Sequence, residues 1–587
     1  MDDKRNLIAA ILLSVAILIG WNFVAERFFP TPDQPDVTKT VAGANGAPAT
    51  APAAQGQPSA LPAPTATAPA TPAAQAIRPV DVVLAEGQRI PIETPAIRGS
   101  INLVGARIDD ITLSKYRQTI KKDSPPVRLF APGGTPAAYF ASIGWAAQGI
   151  QVPGASTVWT ASGSKLTPIS PVTLSWANGT GQTFRIEYSI DANYLITAKQ
   201  TVVNAGAAPV SLNSFALIDR LGKPTDPHEV DSWTIHVGPT GYLDGKSVFD
   251  VDYDDVEEAA NRSVRYSSAG WLGFTDKYWL AAIIPAKGER VTAAISSPAA
   301  NNYQTLFARD FTQVAPGQQL TTSSRIFAGA KEVEILETYQ DKDGITRLSN
   351  AIDWGWFEFF EVPIFKLLHW LFLQLGNFGL AIMALTLIIR LLMFPIANKQ
   401  FASMAQMRVV QPKMKALQDR YKDDKPKMQQ ELMKLYKDEK INPLAGCLPI
   451  IIQIPIFYAL YKVLMLAIEM RHQPFILWIK DLSAPDPLHI LNLFGLLPFT
   501  PPSILAIGLL AVILGVTMWL QFRLNPAPAD PVQAQVFKIM PWLFMFIMAP
   551  FAAGLLLYWI TNNILSIGQQ QWMYRKFPAL KAAPATK

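Results

Sequence analysis

The sequence predicts a polytopic α-helical membrane protein of about six spans, with a large β-sandwich domain on the far side of the membrane and a cytoplasmic helical hairpin. Three observations predict it. Half of the 587 residues are hydrophobic and only 16% are charged, with a mean hydropathy of +0.18. That balance suits a chain part embedded and part soluble. Apolar runs of about 20 residues, the length that crosses a bilayer, recur beyond residue 378. Between residues 79 and 336 the pattern changes to short alternating runs punctuated by Gly, Pro and Asn, as antiparallel sheets require.

The net charge of +6 is modest, and its basic residues gather beside the apolar spans, as in cytoplasmic loops. A basic stripe interleaved with aromatics is not present, so no direct nucleic-acid readout is expected. Cys447 is the single cysteine, which excludes an intrachain disulfide; the 5 histidines, at 228, 236, 369, 472 and 489, are scattered. Neither a metal site nor another cofactor is expected from that inventory.

In chain order, residues 1–6 read as a cytoplasmic N-terminus. Lys4 and Arg5 precede an apolar run at 7–25 and favour staying inside, so the run reads as an uncleaved anchor. A cleaved signal peptide is the other reading, but Glu26-Arg27-Phe28-Phe29 makes a poor small-residue cleavage site. Residues 31–76, rich in Ala, Pro and Thr, form a disordered tether that cannot bury enough surface to offset its ordering entropy. In the β-sandwich at 79–336, residues 184–190 alternate apolar and polar side chains and pair with 172–177 through the turn Asn178-Gly179-Thr180-Gly181. Residues 194–203 and 278–284 are further strands.

Residues 350–375 hold Trp354, Trp356, Phe357, Phe359, Phe360, Phe365 and Trp370 among Asp353, Glu358, Glu361 and Lys366. They predict an amphipathic helix at the membrane surface, broken or kinked near Pro363; an ordinary domain-packing helix is the alternative. The first core span is 378–396. A charged segment at 399–440 follows, divided near Asp423-Asp424-Lys425-Pro426. Its first arm places Met407, Val410, Met414, Leu417 and Tyr421 at spacings of three and four, a coiled-coil-like seam, and its second offers Met428, Leu432 and Leu435. Further spans fall at 444–466, bent by Pro449 and Pro455, and at 503–522, with an external loop between them. After a cytoplasmic loop at 523–535, residues 536–571 would make one helix about 50 Å long against an apolar layer of about 30 Å. A turn at Pro550 and Gly554 divides them into spans at 536–550 and 554–571. Two passes return Arg575 and Lys576, in the basic tail 572–587, to the cytoplasmic side.

Arg390 stands alone inside the apolar stretch 378–396. The mildest scales put Arg at the centre of a span at about +2.5–3.5 kcal/mol, a cost that needs water, a partner or a substrate. Thr386 lies one turn earlier on the same face. Gln453 lies deep in the next span; Tyr558, Trp559, Thr561 and Asn562 give the last span polar or amphipathic positions. Converged in a bundle, these groups would line a wet cavity opening toward the cytoplasm. A snorkelling arginine or a fixed interhelical hydrogen bond explains Arg390 equally well. No enzyme motif is convincing. Gly241-x-x-x-Gly245-Lys246-Ser247 is one residue short of a phosphate loop and lies in a β-rich region, so catalysis is not expected. Two other function classes fit parts of the pattern: a secondary transporter of an anionic solute centred on Arg390, and a membrane-anchored carbohydrate-binding domain centred on the sandwich.

The run Thr386-Leu-Ile-Ile-Arg390-Leu-Leu-Met-Phe-Pro395, with residues 403–412, 442–449 and 453–457, closely resembles the YidC family of membrane protein insertases. The resemblance implies an insertase and chaperone in the bacterial inner membrane, with both termini cytoplasmic, the large domain periplasmic and a five-helix insertase core. It implies that nascent inner-membrane proteins pass through a hydrophilic groove containing Arg390, with Thr386, Gln453 and Tyr558 at matching polar or aromatic positions. Trp559 stands where a second Tyr is expected. Glu439 matches an acidic position near the groove mouth. The Sec translocon, the translating ribosome and membrane lipid are the implied partners. The hairpin at 399–440, with the methionines 407, 414 and 428, would receive apolar segments; simple helix pairing is the competing reading.

Overall fold

The computed structural model describes residues 77–224, 235–258, 264–266, 270–421, 424–439, 448–499, 501–502, 505–524 and 531–576. Side chains at 356, 400–409, 411, 425, 448–453 and 531–534 are outside the description, as are the anchor at 7–25, the tether at 31–76 and Cys447. The contacts below all lie within one compact unit, which holds the described residues up to 524 and those from 539 onward.

Between residues 89 and 330 the chain forms two antiparallel sheets. The first runs Arg89–Glu93, Ile97–Asn102, Arg107–Arg117, Tyr139–Gln148, Val210–Leu221, Asn302–Ala308, Thr292–Ala299 and Val264–Tyr266, with Pro126–Phe130 and Thr312–Val314 alongside. The second runs Lys246–Val248, Gly238–Leu243, Trp271–Thr275, Trp279–Pro285, Gln319–Ala330, Leu195–Asn204, Gln182–Ile190, Val172–Ala177 and Thr160–Ser162. The hairpin read from sequence forms, with Val172 opposite Tyr188 and Ala177 opposite Thr183. Its turn closes because the Asn178 side chain accepts from the backbone N–H groups of Thr180 and Gln182 at 3.0 and 3.1 Å, while Gly179 and Gly181 take φ of 76° and 102°, open to glycine at no steric cost.

The sheets face one another. The Tyr188 hydroxyl donates to the Ala106 carbonyl at 3.0 Å, the Gln200 amide donates to the Gly144 carbonyl at 2.8 Å, and the Trp145 and Phe184 rings meet edge-on at 5.2 Å. Gln182–Ile190 alternates buried and open positions, whereas every residue of Trp279–Pro285 is buried. The latter strand is apolar throughout because both its faces are covered. Arg220 and Asp276 are buried as an ion pair at 2.9 Å, with the guanidinium over the Tyr139 ring.

Helices make up the rest: α1 Val333–Asp341, α2 Glu358–Leu375, α3 Phe378–Arg420, α4 Lys425–Asp438, α5 Leu448–Leu466, α6 Leu509–Leu524, α7 Pro531–Met548 and α8 Ala553–Lys576. Several boundaries differ from the sequence reading, each for a local reason. Residues 348–357 form two short 3-10 turns, so α2 starts at Glu358 rather than at 350, and it continues through Pro363. The missing donor there costs one bond, to the Phe359 carbonyl near the helix start. Gly376, at φ 66°, ends α2, and the Asn377 side chain caps α3 by accepting from Leu380 N–H at 3.1 Å.

The span at 378–396 and the arm from 399 are one 43-residue helix, α3, which passes Pro395 and Pro412. Asn398-Lys399-Gln400 contains no stop signal, and an isolated proline kinks a helix more readily than it ends one. Among the described residues α5 runs from Leu448 to Leu466 and passes Pro455 without ending. Helix α6 begins at Leu509 rather than 503 because Ile507 and Leu509 pair back onto the loop at 467–499, and the Asp486 carboxylate accepts from Leu510 N–H at 2.7 Å. Ala549–Ala552 separates α7 from α8, where Ala553 and Gly554 donate to the Ala484 and Leu482 carbonyls of that same loop. Among the described residues, Phe378–Lys399 is long and apolar enough to cross a membrane; Ile454–Leu466, Leu509–Leu524 and Gln535–Met548 are shorter apolar stretches.

Candidate intramembrane polar site

Helix α8 carries Tyr558, Asn562, Ser566 and Gln570 four residues apart, a spacing that stacks them on one face. All four are buried. Opposite them, Arg390 of α3 is half-buried and reaches across. Its Nε donates to Asn562 Oδ1 at 2.7 Å, and its Nη2 to Ser566 Oγ at 2.5 Å and, at 3.4 Å, to the Asn562 carbonyl. The Ser566 hydroxyl donates in turn to that carbonyl at 2.6 Å. The planar guanidinium suits such a fork, since its donors leave in fixed directions. Tyr558, one turn before Asn562, lies within electrostatic range of the guanidinium.

The other sequence-predicted residues divide. Thr386 is buried one turn from Arg390, but its hydroxyl donates to the Ile382 carbonyl of its own helix at 2.6 Å. Trp559 does not join Arg390. One residue on from Tyr558, it turns about 100° round the helix and packs against Phe457 of α5 and Phe544 of α7, with ring centroids 4.9 and 5.1 Å away. Its indole N–H is buried without a partner among the described residues. The Gln453 and Met407 side chains lie outside the described residues.

In the hairpin, Met414 meets the Tyr436 hydroxyl at 3.8 Å and Met428 is half-buried. Glu439 binds Lys413 at 2.5 Å and ties α3 to the end of α4. Lys413 stands 23 residues, about 35 Å, beyond Arg390 along α3, so the structure does not bring Glu439 to the arginine. Sequence reading missed Ser566, and also the pair Asn563 and Thr517, whose amide and hydroxyl meet at 3.2 Å between α8 and α6. The four-residue spacing from Asn562 to Ser566 was the signal for the first.

A second charged group lies where α2 meets α5. Lys462 is buried 3.5 Å from Asp353. Gly355 lies beside it at φ 68°, a backbone conformation that L side chains rarely adopt. Glu361 is fully buried, and neither carboxylate oxygen has a hydrogen-bond partner among the described residues. Burial pushes its carboxyl up to about 8, against the opposing pull of Lys462.

Two family models cover nearly all of the chain beyond the tether: the YidC periplasmic domain over residues 89–367 and the 60Kd inner membrane protein over residues 370–581. A relative from Zymomonas mobilis, named membrane protein insertase YidC, is 46% identical over 581 residues, covering 98% of this chain and 96% of its own. The chain belongs to the YidC family. A YidC from Sinorhizobium fredii is 46% identical with the same coverage. A crystal structure of an active YidC insertase with its first transmembrane domain resolved overlaps 82% of this chain and 92% of its own at 19% identity, with a TM-score of 0.35, too loose an overlap to support a structural comparison. In this chain, the sheets at 89–330 fall within the periplasmic-domain match, and Arg390 with its α8 partners falls within the inner-membrane match.

Proposed function

We propose that the chain is a membrane protein insertase of the bacterial inner membrane, which moves nascent membrane proteins into the bilayer past the polar site at Arg390. The full-length relatives that carry this name support the function. One observation carries the mechanism: the Arg390 guanidinium is held by Asn562 and Ser566 while its side chain is only partly buried. It lies 12 residues, about 18 Å, along a crossing helix from Phe378, within an apolar layer of about 30 Å.

A positive charge at that depth attracts the acidic flank of an entering segment, and the attraction is strong where the dielectric is low. The polar flank then crosses a shortened dry distance. The apolar segment partitions into lipid, a downhill step that releases it. Every step is one of binding and partition, and no covalent bond changes. In this reading the protein has six spans, cytoplasmic termini and a periplasmic β domain. The α3–α4 hairpin receives the segment, and the Sec translocon and the ribosome deliver it.

The test replaces Trp559, beside the polar face of α8, with a photo-crosslinking phenylalanine and stalls a nascent single-span protein on the ribosome. An adduct between position 559 and the apolar segment is expected. Adducts confined to the hairpin, with none at 559, would show that substrates bypass the bundle.

A further inference from the structure

A cavity of about 670 Å³ opens where the loop at 115–122 of the β domain meets the segment 468–480 that follows α5. Six of its lining residues are Lys or Arg, and one, Glu469, is acidic, so it selects anions. Its walls are fixed. Arg471 donates to the Arg117 and Gln118 carbonyls at 2.7 and 3.4 Å and lies over the Tyr278 and Trp279 rings. Lys121, Lys122 and Lys480 are exposed and have no ion-pair partner among the described residues, which leaves them available to a ligand.

Two further observations choose among anions. The cavity lies at the end of the crossing helix: the Asn377 side chain donates to the Phe475 carbonyl at 3.3 Å, and Gly379 of α3 packs so closely on the Phe475 ring that a Cβ would overlap it. The same two segments carry exposed large apolar side chains: Ile120 in the cavity wall is 54% exposed, and Ile476 and Leu477, close in sequence to Lys480, are 53% and 73% exposed. A soluble phosphate needs the cations alone. A phospholipid needs the cations at headgroup level and apolar side chains just below, the arrangement found at membrane interfaces.

We propose that this cavity binds the phosphate of an anionic phospholipid of the outer leaflet, with Lys121, Lys122 and Lys480 on the headgroup and Ile120, Ile476 and Leu477 in the apolar layer. The site goes beyond the insertase function and rests on that reading's placement of α3 across the membrane with the β domain on the outer side. It pins the β domain to the bilayer at the mouth of the helical bundle.

The experiment titrates the purified full chain in detergent with phosphatidylglycerol or phosphatidylcholine, read by native mass spectrometry, and separately with inorganic phosphate, read by calorimetry. The wild-type chain is expected to retain phosphatidylglycerol over phosphatidylcholine by about fivefold, equivalent to about 1 kcal/mol. The Lys121→Gln/Lys122→Gln/Lys480→Gln variant is expected to lose that preference with unchanged circular dichroism. Equal retention of the two lipids, or a preference that survives in the triple variant, overturns the proposal. Phosphate binding without lipid preference, lost in the triple variant, also overturns it and assigns the cavity to a soluble anion. Arg390→Ala leaves the cavity intact, so lipid preference that persists in that variant while insertion fails supports the cavity site separately from the insertase reading.

Discussion

At the scale of single residues, the arginine is held by two α8 side chains that convert a costly charge into an anchored one. Asn562 and Ser566 accept three of its hydrogen bonds, counting the Asn562 carbonyl. Removing both acceptor side chains strands guanidinium donors beside an apolar helix. Each such loss costs about 1–3 kcal/mol where the group stays buried. The Asn562→Ala/Ser566→Ala variant should therefore unfold earlier in detergent than wild type, measured by thermal or denaturant unfolding; an unchanged midpoint would mean that water already supplies those bonds. Arg390 itself was legible in the sequence, because a lone charge in an apolar run is conspicuous. Its partners were harder to find, since Asn and Ser are common in helices and reveal themselves only by their spacing against a residue 172 positions away. Trp559 misled because adjacency in sequence is not adjacency in space: one step along a helix turns the side chain to a different neighbour.

Among the elements, α2 and the segment after α5 carry the pH sensitivity. Glu361 and Glu469 are raised from 4.5 to about 8 and about 7, in each case chiefly by burial. Lys462, Asp353 and Glu358 also act on Glu361, and Glu332 and Glu334 on Glu469. Below pH 4.5 these carboxyls are protonated whether the chain is folded or not. As pH rises from 4.5 to 8 the unfolded chain gives up those protons while the folded one keeps them, so their contribution to stability falls and is fully lost above 8. The thermal midpoint should drop between pH 5 and pH 9, and Glu361→Gln should flatten the upper part of that drop; a slope unaffected by the substitution would place the titration elsewhere. Neither burial was legible beforehand: Glu361 sits in an aromatic-rich helix whose acidic residues read as its solvent face, and Glu469 sits in a segment that read as a polar loop. The helix starts show the same limit. The delayed start of α6 depends on Asp486, 24 residues upstream of the Leu510 N–H it caps, and the continuity of α3 through two prolines depends on the absence of a stop signal rather than the presence of a start.

At the scale of the whole molecule, the sequence separated a β-rich part from a helical part because period-two alternation and apolar runs of spanning length are distinct patterns. Composition and periodicity could not rank the two by function; the resemblance of residues 386–395, 403–412, 442–449 and 453–457 to the YidC family did, in favour of the helical part. Deleting residues 79–336 should leave the helical core with much of its insertion activity in proteoliposomes, whereas complete loss would move the activity to the sheets. The central claim concerns one charge. The direct measurement is the insertion rate of a single-span substrate with an acidic flank into proteoliposomes carrying wild type, Arg390→Lys or Arg390→Ala. The account predicts that Lys retains most of the rate and Ala loses it, with the loss reduced when the flank is made neutral. Full activity of the Ala variant on the acidic flank would contradict it.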